Sequence, residues 1–70
     1  MQTNTQGAPS PALAQVVGLI KSFGERGPMY EVLGPAPRSE RGEMVAIRVV
    51  IGGEELDYPL ADMLADPVVP

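Results

Sequence analysis

Large apolar side chains recur through the first third of the chain at Leu13, Val16, Val17, Leu19, Ile20 and Phe23, with Ala14, Gln15, Gly18, Lys21 and Ser22 between them. At 100° per residue these six fill a stripe roughly 160° wide, as in an amphipathic helix that must lie against something. Ser10 before Pro11 has the chemistry of an N-cap followed by a first-turn proline. Gly24 has that of a C-terminal stop, with Lys21 placed to complement the helix dipole. The pattern predicts a helix from about Pro11 to Phe23.

From Met29 onward the period shortens to two. Tyr30 and Val32 alternate with Met29, Glu31 and Leu33, which predicts a short strand. Gly34 to Gly42 (GPAPRSERG) is expected to be an exposed loop, because two prolines and three charges make a poor ladder. Met44 to Ile51 is the strongest strand, with Val45, Ile47, Val49 and Ile51 on one face. Gly52-Gly53 suits a two-residue turn into Glu54 to Tyr58, and that turn sets Ile47 opposite Tyr58, Val49 opposite Leu56 and Arg48 opposite Asp57. Pro59 ends the strand, after which Leu60, Met63 and Leu64 recur at helical spacing up to Asp66-Pro67. The fold class expected is α+β: an N-terminal helix packed on a three-stranded antiparallel meander, with a short C-terminal helix. Residues 1–9 are expected to be a disordered tail, 10–67 one small domain and 68–70 a C-terminal tail.

Seventy residues limit the chain to one thin core, since so short a chain hides only about 60% of its unfolded surface. It has neither Cys nor His. That removes disulfides, the usual structural zinc ligands and the two side chains most used in catalysis. Ser10, Ser22 and Ser39 are accounted for as a cap, a helix-surface residue and a loop residue, and no glycine spacing matches a phosphate-binding loop. Glu54 points to the opposite strand face from Glu55 and Asp57, so these carboxylates do not converge on a cation. We therefore expect no enzyme, no cofactor, no metal and no small-molecule substrate. The net charge of -4 opposes wholesale binding to nucleic acid or anionic lipid. No long apolar run or basic-then-apolar leader is present, and the expectation is a soluble cytoplasmic chain.

Two surfaces remain. The sheet face turned away from the first helix should carry Met29, Leu33, Met44, Ala46 and Val50, apolar enough to suit a protein partner or a second copy of the chain. That makes a non-catalytic interaction or regulatory module, working through a sheet face or a sheet edge, the leading expectation. Arg26, Arg38 and Arg41, expected in loops at one edge of the sheet, support the alternative of a nucleic-acid-binding accessory protein.

The segments GPMYEVLGP, AIRVV and GEELDYPLADMLADP resemble a small, functionally uncharacterised family of bacterial proteins over about Val17 to Pro67. The resemblance implies a bacterial origin and one compact domain. It assigns no activity, and no residue takes a role from it.

Overall fold

The apolar stripe of the first third breaks in two. A computed structural model describes residues 11–70, with side chains from residue 13 onward. In it α1 spans only Pro11–Val16 and a strand, β1, follows at Ile20–Ser22. Gly18 sits between them at φ +91, in the left-handed region that stops a helix and that side-chain-bearing residues avoid. Ile20, which opens β1, is β-branched and favours an extended backbone once the helix has stopped. The expected helix from Pro11 to Phe23 is thus corrected to one short helix and a strand. Ser10 and the tail expected over residues 1–9 lie outside the described residues.

β2 (Met29–Ser39) and β3 (Gly42–Val49) form the long hairpin at the centre. The nine-residue loop expected over Gly34–Gly42 is instead two strand ends joined at Ser39 and Gly42. One-residue bulges between Val32 and Gly34 and between Ala36 and Ser39 let the chain accommodate its prolines. Pro35 fits because β1 covers β2 only at Met29–Glu31, leaving its missing N–H on a side where no described strand needs it.

β4 (Glu55–Pro59) completes the sheet, in the order β1-β2-β3-β4, and α2 (Leu60–Ala65) follows directly. The fold class is therefore corrected: among the described residues four antiparallel strands curl into a half-barrel with two short helices, where a helix on a three-stranded meander was expected. The β3–β4 connection is also longer than two residues. Val49 N–H donates to Glu54 O at 2.8 Å and Gly53 N–H to Val49 O at 3.0 Å, closing a four-residue turn over Val50–Gly53. Gly52 and Gly53 adopt φ +91 and +76 within it. Arg48 consequently lies opposite Glu55, Ile47 opposite Leu56 and Asp57 opposite Ala46. The expected Arg48–Asp57 pairing is wrong by two residues, a slip that preserves which face each side chain occupies.

Leu13, Tyr30, Val32, Val45, Ile47 and Met63 are fully buried, with Leu60 beside them. α2 thus covers the inner side of the sheet. Beyond it the chain returns to β1: Ser22 N–H donates to Pro67 O at 3.2 Å, Val69 N–H donates to Ile20 O at 2.8 Å, and Val68 bridges Lys21. This C-terminal strap occupies the outer edge of β1.

Candidate functional site

The densest polar chemistry is a clasp around Asp66, where the strap leaves α2. Tyr30 and Tyr58 hydroxyls both donate to its Oδ2, at 2.6 and 3.0 Å, and Gly24 N–H donates to Oδ1 at 3.1 Å. Lys21, 3% exposed, donates from Nζ to Met63 O and lies 3.7 Å from Met63 Sδ. Phe23 stacks beside Tyr30 at 4.5 Å between ring centroids and meets Tyr58 edge-on at 5.2 Å.

Electrostatics bind these groups into one unit. Burial alone raises the Asp66 carboxyl, but the Tyr30, Gly24 and Tyr58 donors and the Lys21 charge outweigh it and hold the group below its ordinary 3.8. Burial lowers Lys21 against the opposing attraction of Asp66. Burial, then the hydrogen bond to Asp66, pushes Tyr58 up to about 12 and raises Tyr30 further in the same direction. A phenol held protonated is a donor and a poor nucleophile. Donors and acceptors meet one another, so the clasp joins α2, β1, β2, β4 and the strap. Among the described residues no group of three acidic, His or Cys side chains is arranged to hold a metal ion.

The outer face differs from the apolar patch that the alternation suggested. Glu31, Arg48 and Glu55 form a charged row across β2, β3 and β4, with Arg48 Nη2 2.7 Å from Glu31 and Nη1 3.5 Å from Glu55. The row separates Met29 and Val50, which are 39% and 48% exposed, from Leu33, Met44 and Ala46. Met44 is only 5% exposed. The arginines also part company. Arg38 and Arg41 flank the β2–β3 turn, whereas Arg26 lies before β2, on the order of 30 Å away along an eleven-residue strand.

The sheet edges are the other unsatisfied backbone surfaces. β1 has the strap on its outer edge, and the far half of β2 is blunted by Pro35 and Pro37. β4 pairs with β3 on one side and with no described strand on the other. Antiparallel pairs alternate between bonded and non-bonded, and the Val49–Glu54 bond fixes the phase, so Glu55, Asp57 and Pro59 turn their backbone polar groups outward. Pro59 has no N–H to offer; Glu55 and Asp57 do.

Sequence reasoning missed the roles of Lys21, read only as complementing a helix dipole, and of Asp66, read only as the end of the last helix. A signal was present: Tyr30 shares a strand face with Val32 and Tyr58 was set opposite Ile47, and a tyrosine buried at such a position needs a hydroxyl partner. No helix among the described residues is long and apolar enough to cross a membrane. No curated protein matches the sequence. A family model described as a family of unknown function, DUF5397, matches residues 6–70, a span that takes in the clasp, the charged row and the open β4 edge, and the chain belongs to that family.

Proposed function

We propose that the chain is a small non-catalytic protein-interaction module that engages its partner along the outer edge of β4. One observation carries the reading: the outward backbone groups of Glu55 and Asp57 have no partner among the described residues, while the other sheet edges are occupied by the strap or blunted by proline. Exposed strand edges are templates for an added strand. Exposed Leu56, together with Val50 and Ile51 in the adjoining turn, supplies apolar contact area beside the template. A cytoplasmic setting suits a chain without cysteine. The nucleic-acid alternative has less support, because Arg26 stands apart from Arg38 and Arg41.

The test compares wild type with Asp57→Pro, which deletes one outward N–H at a strand position proline can occupy. Both proteins are used to capture partners from the native cell, with circular dichroism confirming the fold. A protein retained by wild type and lost by Asp57→Pro supports the module. Equal retention by the two, or recovery of nucleic acid alone, overturns it.

A further inference from the structure

We infer that the occupant of the β4 edge is an extended segment with basic side chains at alternate positions and an apolar one between them. This rests on the interaction-module reading and adds the partner's chemistry to it. The edge offers two residues' worth of outward donors and acceptors, Glu55 and Asp57, before Pro59 ends it. A strand of about four residues fills that space. Its side chains alternate as β4's do. On the outer face they meet Glu55 and Asp57; on the inner face they meet Leu56, 37% exposed.

Charge then selects the partner. Glu55 shares Arg48 with Glu31, at the longer of the two distances. Asp57 lies opposite Ala46 and has no ion-pair partner among the described residues. Glu54 adds a third exposed carboxylate at the mouth of the strand. A Lys or Arg laid beside Asp57 gains an attraction that nothing within the sheet now supplies. A second copy of the chain is disfavoured for the same reason: two β4 edges meeting about a two-fold axis place Glu55 and Asp57 against their own kind, on a protein already at -4.

The test uses isotope-labelled wild-type chain and two synthetic blocked peptides, one alternating lysine and valine and the other glutamate and valine. Binding of the lysine peptide should slow amide exchange at Glu55 and Asp57 by at least about tenfold, and the effect should weaken as salt screens the pairing. The glutamate peptide should leave both amides unchanged. Asp57→Lys should weaken the preference for the lysine peptide. Should Asp57→Lys fail to fold, the wild-type exchange pattern decides alone. Equal protection by the two peptides, or shifts confined to other strands, overturns the inference. So do Glu55 and Asp57 amides that are already protected in the free protein, since the chain would then cover its own edge. Capture lost in Asp57→Pro but no response to the lysine peptide leaves the module standing and removes only this account of its partner.

Discussion

Asp66 is the residue on which most of the closure depends, because one side chain accepts from β2, from β4 and from the turn after β1. Asp66→Ala should cost about 2–3 kcal/mol, as it strands two part-buried hydroxyls that a charged acceptor had satisfied. Tyr30→Phe, which removes one donor and leaves the carboxylate its others, should cost about 1 kcal/mol by urea denaturation. The folded carboxyl ionises below 3.8, so as pH falls the unfolded chain takes up the proton first. The contribution is complete above that value and disappears as acid carries the folded group through its lowered pKa. Melting temperatures from about pH 5 to about pH 2 should therefore fall more steeply for wild type than for Asp66→Asn. At the alkaline end the signs oppose. Lys21 is lowered, so stability rises with pH toward 10.5; Tyr58 is raised from 10.0 to about 12, so stability falls across that interval.

Among the elements, the β3–β4 turn shows how a short-range signal misleads. Gly52-Gly53 has the composition of a two-residue loop, but Val50 and Ile51 join it, and Ile51 ends 76% exposed. A hydrophobic pattern of period two cannot detect this, because the correct and the expected registers differ by two and bury the same face. Val45 and Ile47 were legible as core for that reason, while the partner of Arg48 was not. The same limit governs the first third of the chain, where Val16, Val17, Ile20 and Phe23 fit either a helix stripe or a helix-stop-strand path. The φ of Gly18 decides between them, and composition alone is silent on it. Gly52→Ala and Gly53→Ala force a side chain into positive φ and should each lower stability by about 1 kcal/mol, read as a reduced denaturation midpoint. Val50→Lys, at a half-exposed turn position, should leave the midpoint nearly unchanged.

Over the whole molecule, as far as the described residues go, one small core takes side chains from α1, β2, β3, β4 and α2, so a single buried charge is enough to undo it. Ile47→Asp puts a carboxylate where exposure is 0% and should abolish the cooperative melt, whereas Arg38→Ala, trimming an exposed strand end, should stay within about 0.5 kcal/mol of wild type. Matching melts for the two variants would place the core elsewhere. The clasp has a further consequence, in the order of folding events. The β2–β3 hairpin closes across a two-residue turn, but Lys21 and Gly24 must find Met63 and Asp66 across 42 positions of chain. Closing that ring costs loop entropy which only the assembled sheet can offset. The clasp should therefore snap shut after the rate-limiting step. Asp66→Asn would then accelerate unfolding in stopped-flow experiments and leave the refolding limb of the chevron where it was, making the strap a determinant of how long the folded state lasts more than of how fast it is reached.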